Sequence, residues 1–262
     1  MNIWREALDV RFGDIDCSNR LTLWSIFSFF QEAAISHAAE LGVGREAMMR
    51  KGQVWVLSRL SLFVERRPVY GEIIEVSTWP RGWDKLFALR DYEIKSDKGV
   101  TQVRGRGSWL VLDAQTRKPL RSESSMHSIP SNNGIDAFTS NPSGLDQKDE
   151  LEKVSSRHAL YSDIDFFGHM NNARYIQWIQ DAADMEILTH APQLRLDINY
   201  LSEVMPGEEV ELWTGPLDAN YVSESSRKDR NYPSRNGPGF AFEGRRPDSG
   251  KAVFRSELFT GG

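Results

Sequence analysis

Ten consecutive residues, Asp163 to Asn172, bring together two carboxylates, an imidazole and two amides. A histidine titrates near neutral pH, so His169 can accept or pass a proton under cellular conditions. Asp165, four residues earlier, can orient that imidazole or face a substrate directly. These residue types can form an acid–base site. On composition alone, however, an Asp- and Asn-rich turn that only caps a helix is the favoured interpretation, and a further observation is needed to favour chemistry.

An apolar segment follows this loop. Between Ala173 and Leu188 apolar residues recur at spacings of three and four, which predicts one long helix that is buried over most of its circumference. The first turn of a helix has unpaired N–H groups and a partial positive charge, which stabilise a carbonyl oxygen that gains negative charge. We therefore expect an oxyanion site at Met170, Asn171 and Asn172, with one of the two asparagines capping the helix.

The loop and its helix have a counterpart earlier in the chain. The earlier copy matches the later one at a constant offset of 149 positions (163 − 14), and a further pairing runs at an offset of 138 (203 − 65). The chain is therefore interpreted as one duplicated unit. The first offset pairs Asp14 with Asp163, Asp16 with Asp165 and Gln31 with Gln180; the second pairs Glu65 with Glu203 and Pro68 with Pro206.

The two copies differ where chemistry is expected. Arg20 stands where the later copy has His169, and Thr22-Leu23 stands where it has Asn171-Asn172. We predict that the later copy kept the reactive loop and that the earlier copy kept only its shape.

At these residues the chain resembles the acyl-ACP thioesterases, plant and bacterial enzymes that release fatty acids from acyl carrier protein (ACP). The resemblance covers nearly the whole chain. It rests on the duplication, the D-x-D-x-x-x-H-x-N-N loop and a strand that ends in Tyr200-Leu201-Ser202-Glu203. It implies an α+β fold, a tandem (double) hotdog in which each unit is an antiparallel sheet wrapped around one long central helix. It also implies Asp165, His169 and Glu203 as the catalytic residues.

Two positions depart from the family's pattern. Plant members have Asn where this chain has Phe167, and Cys beside the glutamate where this chain has Val204. Because the later half has no thiol, attack by a cysteine is excluded there and attack by water is expected. Asp165, His169 or Glu203 would activate that water. Whether Asp165 attacks the substrate directly or positions the water is left open.

The resemblance implies that the chain hydrolyses the thioester of a fatty acyl chain on ACP. One alternative is hydrolysis of acyl-coenzyme A, and another is a hotdog module that binds acyl groups or carriers without turnover. Retention of the histidine in one half favours an enzyme, because a binding module has little use for a proton shuttle. Chain length and saturation do not follow from the residues. The first-half side chains that the resemblance suggests for an acyl tunnel are Trp24, Phe27, Trp55 and Leu57.

Runs rich in Val, Ile, Trp and Phe, bounded by turn residues, predict the strands. The first half is predicted to have a strand at 4–12, a helix at 21–41 and strands at 53–64, 72–79, 86–95 and 101–112. The second half is predicted to have strands at 154–161, 193–203, 208–215, 239–245 and 251–258. A Ser-, Asn- and Pro-rich stretch predicts a linker. The predicted domains are an N-terminal hotdog at 1–125, a linker at 126–152 and a C-terminal hotdog at 153–262, with a mobile segment at 223–238.

Composition limits the remaining functions. The 262 residues carry 32 basic and 37 acidic side chains, a net charge of −5 that argues against binding nucleic acid. The single cysteine, Cys17, permits no internal disulfide and fits a reducing compartment. The five histidines lack the spacing of metal ligands, and no phosphate-binding glycine loop or G-x-S-x-G motif occurs, so neither a metal nor a cofactor is expected.

The start of the chain lacks the apolar core of a signal peptide, and no apolar run is long enough to span a bilayer. A soluble cytoplasmic protein is therefore expected. Its predicted partner is ACP with a bound acyl chain, and a homodimer is left open.

Overall fold

A computed structural model of the protein describes residues 2–120, 129–132, 134–218, 221 and 238–261. The helices and strands divide into two similar series. The first series is β1 (Trp4–Asp9), α1 (Leu23–Glu40), α2 (Arg45–Arg50), β2 (Gln53–Val64), β3 (Ile73–Asp84), β4 (Phe87–Ser96) and β5 (Thr101–Asp113). The second series is β6 (Glu152–His158), α3 (Asn172–Ala182), α4 (Met185–His190), β7 (Gln193–Tyr200), β8 (Glu209–Leu217), β9 (Gly239–Arg245) and β10 (Ala252–Gly261).

The ten strands of the described residues form one continuous antiparallel sheet in the order β1-β3-β4-β5-β2-β7-β10-β9-β8-β6. Both halves have the same strand order, and across the sheet the order of the second half is the reverse of that of the first. The halves meet where β2 pairs with β7, from Arg59 opposite Asn199 to Val64 opposite Leu194. We call this pairing the β2–β7 junction. It makes the two predicted sheets one sheet.

The helices α1 and α3 pack on one hydrophobic core that extends through both halves. Phe27 and Phe30 from α1 are buried in this core, as are Ile176 and Ile179 from α3. Both helices begin at side-chain caps: the Thr22 hydroxyl accepts from the Ser25 N–H, and the Asn171 amide oxygen accepts from the Ala173 N–H. The α+β architecture of antiparallel sheet and central helices is as predicted.

The second central helix is shorter than predicted. Instead of running from 173 to 188, it ends at Ala182; Ala183 is extended, and α4 begins after Asp184. The Asp184 carboxylate accepts from the Glu186 N–H at 2.8 Å. Aspartate favours an N-cap because its short side chain satisfies an N–H at a helix start, and here that preference ends the apolar repeat. The prediction of one long helix per unit is correct for α1 and wrong for the second unit.

The offset of 138 between the halves is also wrong. The Gly71 N–H bonds the Val10 carbonyl, and the Gly207 N–H bonds the Ala159 carbonyl in the same way. These bonds relate this part of the two halves by an offset of 136 (207 − 71). The counterpart of Glu203 is therefore Arg67, and not Glu65.

The described part of the predicted linker packs against the face of the sheet opposite the helices. Phe138 and Leu145 are buried there. The Leu145 N–H donates to the Asn199 side chain at 2.8 Å, and Arg106 on β5 pairs with Asp136 at 2.9 Å. The predicted boundary between 125 and 126 and the segment 223–237 lie outside the described residues, so the domain boundaries stay a prediction.

Candidate active site

The loop before α3 is held by its own backbone. The Asp165 N–H donates to the His169 carbonyl at 3.0 Å, and the Gly168 N–H donates to the Asp165 carbonyl at 3.0 Å. One Asp165 carboxylate oxygen accepts the Phe167 N–H at 2.8 Å. Gly168 has a φ of 83°, a conformation that glycine adopts at little cost. The turn fixes His169 two residues before the helix cap, Asn171.

The structure brings His169 and Glu203 together. The imidazole Nε2 lies 3.7 Å from Glu203 Oε1, and 26% of the histidine side chain and 39% of the glutamate side chain are exposed. The Phe167 ring stacks on the imidazole, with centroids 6.0 Å apart and planes 12° apart. An aromatic ring thus stands where the resemblance expects an amide, and His169 remains open to a substrate.

Asp165 occupies the loop without contacting the imidazole. Within the described ranges, the only hydrogen bond accepted by its carboxylate comes from the Phe167 N–H. Asp165 and His169 are joined through their backbones, so in this structure Asp165 shapes the turn that aims His169.

The three N–H groups expected to bind the oxyanion differ in whether they already have an acceptor within the fold. The Met170 N–H already donates to the Val204 carbonyl at 2.8 Å, and the Asn171 N–H to the Asp163 carbonyl at 2.8 Å. The expectation therefore does not hold for Met170 and Asn171, because strand and turn pairing use these groups. Asn172 is the first residue of α3, and no hydrogen bond of the described residues uses its N–H. The N–H of Asn172 is the donor that this helix start offers.

A buried tyrosine, Tyr175, and a partly buried one, Tyr200, join the start of α3 to the strand end that carries Glu203. The Tyr200 hydroxyl donates to the Asn172 carbonyl at 3.1 Å, and the Tyr175 hydroxyl to the Ser202 carbonyl at 3.4 Å. The two rings meet edge to face at 5.4 Å. Burial raises the pKa of both hydroxyls above the ordinary value, so both are neutral donors.

The first half also contributes to this site. An Arg117 N–H donates to Glu203 Oε1, the same oxygen that faces His169. Arg45 at the start of α2 lies 3.7 Å from the centre of the Phe166 ring, a cation–π contact. Sequence reasoning identified neither Arg117 nor Arg45 as a residue of this site. No local pattern reveals either contact, because both cross between the halves.

The equivalent loop of the first half is closed by an ion pair. Arg67 lies 2.5 Å from Asp16 Oδ2, and its other terminal nitrogen donates to the Leu188 carbonyl at 2.6 Å. Burial would raise the pKa of Asp16, but hydrogen bonds from Ser18 and Arg20 and the charge of Arg67 outweigh it and hold that pKa below the ordinary value. Asp16 is therefore ionised and paired, and the first loop is structural.

The four expected tunnel residues divide between two hydrophobic clusters. Phe27 and Leu57 are buried in the main core, with Trp24 packed against it, whereas Trp55 packs in a separate cluster beside Val43. A tunnel lined by these residues stays a prediction.

No group of three or more His, Cys, Asp or Glu side chains that could hold a metal ion occurs within the described ranges. In the same ranges no helix combines the length and apolarity needed to cross a membrane.

Two family models match the chain. Residues 1–128 match the model of the acyl-ACP thioesterase N-terminal domain, and residues 146–236 match the model of the acyl-ACP thioesterase C-terminal domain. The two matches are adjacent and in the family's order, and together they leave out only a short middle segment and the last strands.

Curated relatives are distant but consistent. A chloroplastic acyl-(acyl-carrier-protein) hydrolase of Cuphea viscosissima is 25% identical over 217 residues, which are 77% of this chain and 52% of the relative. A chloroplastic palmitoyl-acyl carrier protein thioesterase of Arabidopsis thaliana is 24% identical over 221 residues, with the same two shares. The chain therefore spans about half the length of the curated relatives it matches.

Solved structures share the fold. An acyl-ACP thioesterase of Bacteroides thetaiotaomicron superposes with a TM-score of 0.76 at 24% identity, covering 98% of this chain and 97% of that one. The 12:0-ACP thioesterase of Umbellularia californica superposes with a TM-score of 0.77 at 18% identity, covering 98% and 93%. The predicted tandem hotdog fold is confirmed.

Proposed function

Because the chain belongs to the acyl-ACP thioesterase family, we propose that it hydrolyses the thioester bond between a fatty acyl chain and ACP. The observation that carries the proposal is the pairing of His169 Nε2 with Glu203 Oε1 beside the start of α3. The names of the curated relatives support the same substrate class. Because those relatives are about twice as long, activity, substrate and partner are proposals for this chain.

The proposed reaction uses water as the nucleophile. A water oxygen attacks the thioester carbonyl carbon, and its proton passes to Glu203 or His169, which face each other. The carbonyl oxygen becomes negative and is stabilised by the N–H of Asn172 at the start of α3. The carbon–sulfur bond then breaks, and the departing thiolate takes up that proton from His169, directly or after Glu203 has passed it to the facing imidazole. The products are a free fatty acid and the carrier thiol, and Asp165 holds the loop that aims His169.

The charges around the proposed site suit an acidic carrier. Arg117 and Arg246 both donate to Glu203, the first to its carboxylate and the second to its carbonyl at 2.8 Å, and Arg45 lies over Phe166 at the loop. Carboxylates neutralise Arg117 and Arg246, so Arg45 is the basic side chain of this group whose charge can attract the acidic ACP, although the chain's net charge is −5.

The test is fatty-acid release from a panel of acyl-ACP substrates. His169→Ala and Glu203→Gln should each lose about a hundredfold or more in activity, the usual effect of removing an acid–base group. Asp165→Asn can still accept the Phe167 N–H and should stay near the parent if Asp165 only holds the loop, whereas an equal loss would assign its carboxylate to the chemistry. Arg20→Ala and Glu65→Gln serve as first-half controls and should stay near the parent. Equal losses in the controls would show that the chemistry has been assigned to the wrong half.

The same panel of substrates distinguishes the proposed function from two alternatives. Faster hydrolysis of coenzyme A thioesters than of ACP thioesters with matched acyl chains would identify an acyl-CoA thioesterase. Tight binding of acyl-ACP without release of fatty acid would identify a binding module. A cytoplasmic location, the absence of a nucleic-acid partner and the option of a homodimer stay predictions, and light scattering of the purified chain tests the last.

A further inference from the structure

Arg117 sits on a turn that is fixed from several sides. The Asp113 carboxylate accepts the N–H groups of Gln115 and Thr116 at 3.1 and 2.7 Å, and the Thr116 hydroxyl at 2.9 Å. The Arg117 N–H donates to the Asp113 carbonyl at 2.9 Å, and the Asp113 N–H donates to the Lys118 carbonyl at 3.0 Å. The turn therefore presents the Arg117 side chain from a defined position at the end of β5.

The backbone of Arg117 is in an unfavourable region. Its φ is 56°, the left-handed conformation that glycine and asparagine adopt far more readily than arginine. An arginine at a backbone position that disfavours arginine indicates that its side chain has a role elsewhere. That role is the hydrogen bond from the Arg117 side chain to Glu203.

Glu203 is held from both halves. Its carbonyl accepts an Arg246 N–H at 2.8 Å, and Arg246 is itself paired with Glu208 at 2.7 Å, so the second half fixes the backbone. Its carboxylate accepts an Arg117 N–H from the first half. The oxygen that Arg117 contacts is Oε1, which also lies 3.7 Å from His169 Nε2.

We propose that Arg117 is a positioning residue that the first half supplies to the site: it holds the Glu203 carboxylate beside His169. The inference rests on the proposed thioesterase function for its kinetic consequence, but not for the contact. Arg117 acts through Glu203 and touches neither water nor thioester. Without it, an exposed glutamate side chain samples several rotamers, and the fraction aligned with His169 falls.

The kinetic test compares Arg117→Ala, Arg117→Gly and the neighbouring control Lys118→Ala on one acyl-ACP. Both Arg117 variants should lose about ten- to a hundredfold in kcat, the effect of misplacing a catalytic group, with KM changed by less than about twofold. Added guanidinium should restore part of the loss in Arg117→Ala. In a Glu203→Gln background, Arg117→Ala should cause no additional loss, because the residue acts through that carboxylate.

Arg117→Gly separates the side chain from the backbone. Glycine relieves the left-handed strain, so this variant should melt at a higher temperature than Arg117→Ala while losing as much kcat. A purely structural arginine would instead give activity that follows melting temperature across the variants, and that outcome would overturn the proposal. Three other results would also overturn the proposal. They are an unchanged or increased kcat, an additive loss of activity in the Glu203→Gln background, and a change in KM alone.

A second measurement does not need turnover. The imidazole NMR signal of His169, assigned by its loss in His169→Ala, should move in Arg117→Ala at constant pH and stay in place in Lys118→Ala. In the Glu203→Gln background, Arg117→Ala should not move it further. If the parent releases no fatty acid from any acyl-ACP, the proposed function fails, and this signal still decides whether Arg117 positions Glu203. An unmoved signal in Arg117→Ala overturns that role.

Discussion

Arg67 and Glu203 occupy equivalent positions in the two halves and carry opposite charges. The equivalence follows from matching backbone bonds, from Leu21 to the Pro68 carbonyl in one half and from Met170 to the Val204 carbonyl in the other. In the first half the arginine neutralises Asp16 and closes the loop. In the second half a glutamate cannot pair with Asp165 and faces His169 instead. A reversal of charge at one position thus separates a structural loop from a proposed reactive one.

Removing Arg67 should destabilise the fold. Arg67→Ala leaves the Asp16 carboxylate without its counter-charge and the Leu188 carbonyl without its donor, so the free energy of unfolding should fall by about 3 kcal/mol. Urea denaturation measures the loss. Arg66→Ala is the matched control, because the exposed Arg66–Glu72 pair should contribute less than about 1 kcal/mol. Equal effects of the two substitutions would contradict the importance of the buried pair.

His37 should make stability depend on pH. The side chain is fully buried on α1, where it contacts Asn2 at 2.7 Å and Arg90 at 3.1 Å. Burial, together with the charge of Arg90, lowers the pKa of His37 to about 4. In the unfolded chain the pKa is about 6.5, so between these values the unfolded state binds the proton and the folded state does not.

The sign of the effect follows. The contribution of neutral His37 is complete above pH 6.5 and is lost as the pH falls towards 4, by about 3 kcal/mol in all. Urea denaturation of the parent and of His37→Gln between pH 4 and 7.5 measures it. The variant should be less stable at pH 7.5 but should lose less stability on acidification. Parallel curves for the two proteins would contradict the prediction.

The Phe167 ring should support the imidazole. Phe167→Ala removes the stacking on His169 and should lower kcat by about two- to tenfold, the effect of losing one aromatic contact. Steady-state hydrolysis of acyl-ACP measures the change. Phe12→Ala removes another exposed aromatic residue, which meets Tyr70 edge to face in the first half, and should leave kcat unchanged. No loss in Phe167→Ala would show that the loop backbone alone orients His169.

Asp91 should anchor the linker to the sheet. This fully buried carboxylate binds Arg106 at 2.6 and 2.8 Å and accepts the Ala137 N–H at 2.8 Å. Asp91→Asn leaves the buried Arg106 guanidinium dependent on the half-exposed Asp136, so the free energy of unfolding should fall by about 3 kcal/mol. Limited proteolysis should also cut within 134–151 sooner. Glu93→Gln, on the same strand, is the control and should change neither property.

Local patterns predicted most of the strands well. The predicted bounds of β2 and β9 agree with the structure at both ends, because alternating apolar residues end there at turn residues. Resemblance to a family predicted that His169 and Glu203 belong to one site, although they are far apart in the chain. Both kinds of inference fail at Asp184, where one capping side chain outweighs an apolar repeat that continues beyond it.

Contacts between the halves could not be predicted in the same way. Arg45 reaches the loop and Arg117 reaches Glu203 of the second half because β2 pairs with β7 in one register, and no residue near either arginine encodes that register. The offset of 138 failed for a related reason. Two glutamates and two prolines matched by chance, whereas the bonds that define the equivalence are made by backbone atoms.

The β2–β7 junction also determines what happens to a half that is made alone. Residues Arg59 to Val64 would then present a row of unsatisfied N–H and C=O groups along an open edge, and the part of α1 that packs on α3 would be uncovered. Such a fragment would recruit a second copy of itself across that edge, since β2 and β7 are equivalent and pair antiparallel. Once two such copies are fused into one polypeptide, each can change its sequence independently. Arg117 of the first half can then bind Glu203, which has no counterpart glutamate in the first half.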